Sequence, residues 1–425
     1  MTTHPFGGDA SWSAGDTIAF MRFLFRPTAT DGAGLLSLPW DRPLAEWPDD
    51  VVLESPERGL SRHVVRFVAS EGRVFALKEI PEPLARHEYD LLVAFEAEGL
   101  PAVSAFGVCV DRPGDQPAIL VTQHLDYAVS YRHLFSGPRG ECSPEQLAAT
   151  MAELLARLHL ASVSWGNCSL SNTLFRPDAG TMAAYLGDAE TVERHPTLSA
   201  GQRAYDVDLA TERVAAELMD LQSGGLLPDD IDPIGTALGV RSAYEALWEE
   251  LTGEDFIALE EQREGVADRL RRLDDLGFDA DEIELITSPE GIRLRVRTSV
   301  AEPGHHRHEL ARLTGLEVQE NQARCLLDDL HAYRAWLERQ DGVIVAETVA
   351  GRRWLVEIYA PVVESIPDEL AGRLEPAEVF YEVVVHRGKA TETEGAAVGT
   401  AEAADSYFRT VLLAASSALV GLRAS

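Results

Sequence analysis

Among the 37 lysine and arginine side chains, only Lys78 and Lys389 are lysines. In a chain that uses arginine almost everywhere, a retained lysine marks a place that needs a compact ammonium. Lys78 closes the apolar run Val74-Phe75-Ala76-Leu77. A strand holds such a side chain rigidly, and an ammonium at its end can neutralise the α- and β-phosphates of a nucleotide. Shortly after it, Glu88 stands in Arg86-His87-Glu88-Tyr89-Asp90, with leucines following at helical intervals. An ion pair from that helix would aim the ammonium at phosphate. Further on, the polar loop Trp165-Gly166-Asn167-Cys168-Ser169-Leu170-Ser171-Asn172 leads into Thr173-Leu174-Phe175, and the run Tyr185-Leu186-Gly187-Asp188-Ala189-Glu190 ends in acids.

The polar loop follows Leu154-Leu155-Ala156-Arg157-Leu158-His159, the end of a helical segment. Together they resemble the catalytic loop of the protein-kinase superfamily, especially the small-molecule and lipopolysaccharide (Kdo) kinase branch, which reads LxxLHxxGxxHGDLxxxNIL. The resemblance spans roughly Val51 to Leu221 and implies ATP and Mg²⁺ as cofactors. It makes Asn172 the metal-binding asparagine, and it puts Asn167, five residues earlier, in the place of the catalytic aspartate. It implies a D-F-G or D-x-[ED] turn at Asp188, whose carboxylate would hold Mg²⁺ against the β- and γ-phosphates, with Glu190 as a second candidate. Lys78 and Glu88 fall where the phosphate-binding lysine and its helix partner belong. Gly59 and Ser61, in Glu57-Arg58-Gly59-Leu60-Ser61-Arg62, stand where a glycine-rich phosphate loop would be. Asp206 resembles the buried aspartate that accepts backbone N–H bonds from the catalytic loop. The departure is Asn167: an amide is neutral and cannot take a proton from the acceptor hydroxyl, although its oxygen can hold that hydroxyl.

The elements that must position these residues can be read from pattern. Phe20–Phe25 is strand-like and leads in to the next domain. Val64–Val68 and Val74–Lys78 flank the turn signal Glu71-Gly72, as in a hairpin. Leu84–Glu98 has helical spacing with Leu84, Leu91, Leu92 and Phe95 on one face, and Gly99-Leu100-Pro101 ends it. Strands follow near Ala105–Val110 and Ala118–Thr122. Ser143 is an N-cap for a helix over Pro144–Leu160, and another helix is expected from about Tyr205 to Leu221. Gly224-Gly225 and Pro228 mark a boundary. Beyond it, Ile231–Leu273 reads as mostly helical, Ile283–Val300 as a strand pair and Val318–Glu338 as an amphipathic helix. The expected fold is therefore α+β: a lead-in over 1–50, a bilobal protein-kinase-like ATP-binding domain over 51–225, and a second α/β domain over 226–425. The second half resembles an uncharacterised bacterial domain found beside such kinase-like sequences.

Composition sets the outer limits. The net charge of −33 argues against a broad nucleic-acid surface. The N-terminal residues carry neither a basic n-region nor a long apolar run, so no signal peptide is expected, and Thr410–Leu422 is too short to span a bilayer. Cys109, Cys142, Cys168 and Cys325 are scattered, as free thiols in a reducing compartment would be. A cytoplasmic protein is expected. His305-His306-Arg307-His308-Glu309 offers too few ligands on one helix face for a metal. With no APE segment or activation loop, the chain reads as a phosphotransferase acting on a small-molecule or glycan hydroxyl. The alternatives are a nucleotide-binding pseudokinase that engages a protein partner through its C-terminal domain, and a different chemistry on the same scaffold, such as nucleotidyl transfer.

Overall fold

The computed structural model describes residues 21–25, 34–53, 63–135, 142–257, 262–275, 278–288, 291–300, 305–367, 375–395 and 397–412. The chain forms two compact units: Met1–Asp90 with Ser104–His124, and Leu91–Val103 with Leu125–Ser425.

The first unit is built on an antiparallel sheet of β1 (Arg22–Phe25), β2 (Val64–Ser70), β3 (Arg73–Ile80), β4 (Ala105–Val110) and β5 (Ala118–Gln123), in the order β1-β4-β5-β3-β2. β2 and β3 join through Glu71 and Gly72, both at positive φ, the conformation that matches the twist of a tight hairpin. The lead-in strand β1 pairs with β4. Side chains alternate across β3, so Phe75 and Leu77 are buried in a core with Trp40, Trp47, Ile119 and Val121, while Lys78 projects from the opposite face. Glu79, on the core face, meets the buried Arg112 guanidinium at 2.6 Å. Arg112 also donates to the carbonyl oxygens of Trp40, at 2.9 Å, and Pro117, at 2.6 Å, which ties the lead-in to the sheet. Helix α1 (Glu82–Glu98) starts on the Pro81 carbonyl, which accepts from the Leu84 and Ala85 N–H groups, and stops at Gly99 in the left-handed region.

The second unit opens with α2 (Pro144–Leu160), started by a reciprocal capping box between Ser143 and Gln146. Then come β6 (Val163–Ser164), β7 (Thr173–Asp178), β8 (Thr181–Leu186) and β9 (Glu193–Arg194), with β6 paired to β9 and β7 to β8. Helices α3 (Ala200–Ser223) and α4 (Pro233–Thr252) follow and pack on each other, with α4 also against α2. Helix α3 begins five residues before the expected Tyr205, because Ser199 and Gln202 make a second capping box. The stretch Ile231–Leu273 is two helices, α4 and α5 (Gln262–Asp275), interrupted by β10 (Glu254–Ile257). β10 adds to the hairpin of β11 (Phe278–Ser288) and β12 (Gly291–Val300), in the order β10-β12-β11. The rest of the described chain is helical: α6 (His305–Thr314), α7 (Glu320–Asp341), α8 (Glu347–Trp354), a π turn over Leu355–Tyr359, α9 (Ala360–Glu364), α10 (Pro376–Glu394) and α11 (Thr400–Tyr407). These helices close over Leu326, Leu330, Trp354, Phe380 and Tyr407. Among the described residues, no helix is long and apolar enough to cross a membrane.

Candidate functional site

In the first unit, Lys78 Nζ lies 3.0 Å from Glu88 Oε2 and 3.4 Å from Oε1. Glu88 is 2% exposed and shares its helix face with the buried Ala85 and Leu92, so it is not part of a solvated acidic face. A carboxylate so far from water needs a cationic partner, and Lys78 supplies one. Strand β3 lies between β2 and β5, with Lys78 opposite Val65 and Leu120, so the backbone under the ammonium is hydrogen-bonded on both sides. Gly59 and Ser61 lie outside the described residues.

In the second unit, helix α3 organises the polar loop. Asp206 accepts from the backbone N–H groups of Trp165 at 2.6 Å and Gly166 at 3.1 Å. Three helical turns later, on the same face of α3, Glu217 accepts from Leu170 N at 2.6 Å and Ser171 N at 3.2 Å. Burial pushes the Glu217 carboxyl above its ordinary pKa, against these hydrogen bonds. Glu217 was not anticipated from sequence; its periodic placement after Asp206 was the available signal. Gly166 stands at positive φ, and a Cβ there would sit 2.6 Å from the Thr191 carbonyl oxygen, so the chain must bend here without a side chain. Asp206 is itself backed by the buried His159, whose Nε2 is 3.3 Å away and whose Nδ1 is 2.7 Å from the Tyr244 hydroxyl. Burial holds His159 below its ordinary pKa.

Asn167 and Asn172 lie on this loop, both half-buried. Asn172 directly precedes β7 and Asp188 follows β8, so the hairpin returns the chain to its start. There, Gly187 N donates to the Asn172 carbonyl at 2.8 Å. The end of β8 is held further by Leu186, which bonds to Pro101 and Val103. Asp188 Oδ1 accepts from Glu190 N at 2.9 Å, an Asx-type turn that orients the carboxylate. The amide and carboxylate oxygens of Asn172 and Asp188 are hard donors. They fit Mg²⁺, which is held by one or two protein oxygens together with substrate phosphates and waters. No cluster of three or more His, Cys, Asp or Glu side chains suited to a metal occurs among the described residues. His306 instead pairs with Glu320 at 2.7 Å.

A hollow of about 560 Å³ adjoins the loop beside Gly166, lined by Ser164, Glu193, His195, Gln202, Tyr205 and Asp206. Ser164 Oγ is 2.8 Å from His195 Nε2. The four cysteines are free. Burial pushes Cys109 up to about 12, Cys142 up to about 11, and Cys168 well above the ordinary thiol range, so these thiols are not reactive nucleophiles.

Residues 72–215 match the sequence model of the lipopolysaccharide kinase (Kdo/WaaP) family. Residues 246–412 match that of a domain of unknown function, DUF4032. No curated protein matches the chain. Among solved structures, WaaP in complex with acyl carrier protein aligns over 53% of this chain and 90% of its own, at 16% identity and a TM-score of 0.34. The chain is thus a mixed helix-and-sheet protein in which a kinase-like N-terminal region, similar to lipopolysaccharide kinases, is fused to a mostly helical C-terminal domain.

Proposed function

We propose that this protein is a phosphotransferase that uses ATP and Mg²⁺ to phosphorylate a hydroxyl of a small molecule or glycan in the cytoplasm. The observation that carries the reading is the Lys78–Glu88 pair, a buried carboxylate set against one of the chain's two lysines. In the mechanism, Lys78 neutralises phosphate charge while Glu88 fixes its direction. Asn172 and Asp188 would hold the metal, which would supply charge neutralisation at the phosphates. The backbone bonds from Asp206 and Glu217 keep Asn167 and Asn172 from drifting. Asn167 positions the acceptor hydroxyl by its amide oxygen. Phosphoryl transfer depends mainly on positioning and charge neutralisation, so a weak or absent base lowers the rate without abolishing the reaction.

Asn167 itself supports a second reading, a pseudokinase that binds nucleotide and acts through a protein partner of its C-terminal domain. Both readings require nucleotide binding. At a hundred times its dissociation constant, Mg-ATP should stabilise the full chain by roughly 2.7 kcal/mol in thermal unfolding. Lys78→Met and Asp188→Ala should each remove most of that gain. If both substitutions leave it untouched, the nucleotide site is elsewhere.

A further inference from the structure

The β7–β8 hairpin is a two-stranded sheet, paired from Thr173↔Leu186 at its base to Asp178↔Thr181 at its tip. Two strands alone are marginal in water and need packing from elsewhere to hold one geometry. The base carries Asn172 and Asp188. At the tip, α2 donates from Gln146 Nε2 to the Gly180 carbonyl at 3.3 Å and from Thr150 Oγ1 to the Met182 carbonyl at 3.1 Å, and the C-terminal domain makes the remaining side-chain contacts.

The turn residues Ala179 and Gly180 both have positive φ, which points their N–H groups the same way and makes a small anion nest. The Glu378 carboxylate of α10 fills it, accepting from Ala179 N at 2.8 Å and Gly180 N at 3.1 Å. The grip is reciprocal. Asp178, 3% exposed, accepts from the first turn of α7: from Gln322 N at 2.8 Å, Asn321 N at 3.3 Å and Asn321 Nδ2 at 3.1 Å. Gln322 Nε2 donates to Glu378 at 2.8 Å and to the Pro177 carbonyl at 3.3 Å, linking the two halves of the grip. On β7, Arg176 makes a two-pronged contact with Glu375, Nη2 to Oε1 at 2.5 Å and Nε to Oε2 at 3.3 Å. Gly180 packs so closely that a Cβ there would lie 2.7 Å from the Tyr381 hydroxyl. The hairpin residues lie inside the kinase-like match and their partners lie inside the C-terminal match.

We infer that Asp178 and Arg176, with Glu375, Glu378 and Gln322, are positioning residues through which the C-terminal domain braces the hairpin and so sets the spacing of Asn172 and Asp188. The inference rests on the proposed reading of those two residues as metal ligands. A tip released from Glu378 and α7 keeps only the α2 contacts and the Val129–Phe175 bridge, and the twist it gains is carried along six residue pairs to the Gly187–Asn172 bond. The C-terminal domain thereby becomes part of the metal-binding apparatus without contributing a ligand.

The test uses the full chain with Glu378→Ala, the milder Glu378→Gln, and Glu392→Ala on the exposed face of the same helix as control. In ligand-free protein, Glu378→Ala should speed amide hydrogen exchange over 187–190 by about tenfold, a local opening short of global unfolding. Glu378→Gln should fall between it and the parent, and Glu392→Ala should match the parent. With ATP added, the extra thermal stabilisation seen with Mg²⁺ over ATP in chelator should shrink by at least about half in Glu378→Ala, while the chelator value stays as in the parent. Faster exchange at 179–180 with 187–190 unchanged, within about twofold, would overturn the brace. Should Glu378→Ala not fold, Glu378→Gln decides on the same readings. If the parent shows no nucleotide effect at all, the proposed function fails, and the exchange measurement still decides the brace.

Discussion

The Tyr244 hydroxyl lies 2.7 Å from His159 Nδ1, and this contact, made by a helix beyond the kinase-like match, is one link of a chain that ends at the polar loop. With Tyr244 donating to Nδ1, the Nε2 proton of His159 faces Asp206, whose carboxylate holds the Trp165 and Gly166 amides. The imidazole therefore works as a neutral, two-ended spacer, and its burial keeps it so.

Replacing Tyr244 by phenylalanine keeps the ring and leaves a buried imidazole nitrogen unsatisfied. The expected loss of stability is about 1 to 3 kcal/mol, read by denaturant unfolding, with faster hydrogen exchange at the Trp165 and Gly166 amides. A Tyr244→Phe protein as stable as the parent, with those amides equally protected, would show that the chain of contacts transmits nothing.

Asn167→Asp separates enzyme from pseudoenzyme. Asn167 stands where the resembled family carries its base, and a base contributes about 10² to 10⁴ in rate. The variant should therefore gain phosphoryl transfer by that order on a proven acceptor while its ATP affinity stays nearly unchanged. Equal transfer rates for variant and parent would remove position 167 from the chemistry. Tight Mg-ATP binding with no transfer by either would establish the pseudokinase.

Much of this was legible in the chain. Glu71-Gly72 announced the first hairpin, and leucine spacing announced the helix bearing Glu88. The Asn167-to-Asn172 spacing located the loop. What stayed hidden depends on distant partners. Strand β10 is four residues in a charged stretch that reads as helix, and it forms only because β12 lies beside it, with Phe256 opposite Arg293. Val379–Val385, rich in β-branched residues, lies in helix α10, where Val379, Phe380 and Val383 reach the core; packing overrides propensity there. The start of α3 is local by contrast, set by the Ser199–Gln202 capping box. Glu375 and Glu378 are two acids among the chain's 70, and nothing local distinguishes them from solvated ones.

Asp178 gives the fold a pH signature. Burial pushes its carboxyl up to about 6, although the backbone N–H groups of Gln322 and Asn321 pull the other way and Glu378 adds to the rise. The unfolded value is about 3.9, so the folded chain binds this proton more tightly. The group's stabilising contribution is full below pH about 4 and is lost as pH rises through about 6. Relative to Asp178→Asn, the parent should gain about 2 kcal/mol between pH about 7.5 and about 4.5, measured by denaturant unfolding at each pH. A difference that is flat, or of opposite sign, would show that the native carboxyl titrates normally.

The grip on the hairpin tip also orders events during synthesis. Glu378 lies 198 residues after Gly180 in the chain. A ribosome adding roughly 5–20 residues per second exposes the hairpin on the order of tens of seconds before Glu378 and α10 exist. Throughout that interval the Ala179 and Gly180 amides and the Asp178 carboxylate lack the partners that they have in the complete chain. The hairpin tip of a nascent or truncated chain therefore lacks its Glu378 and α7 contacts until α7 and α10 arrive.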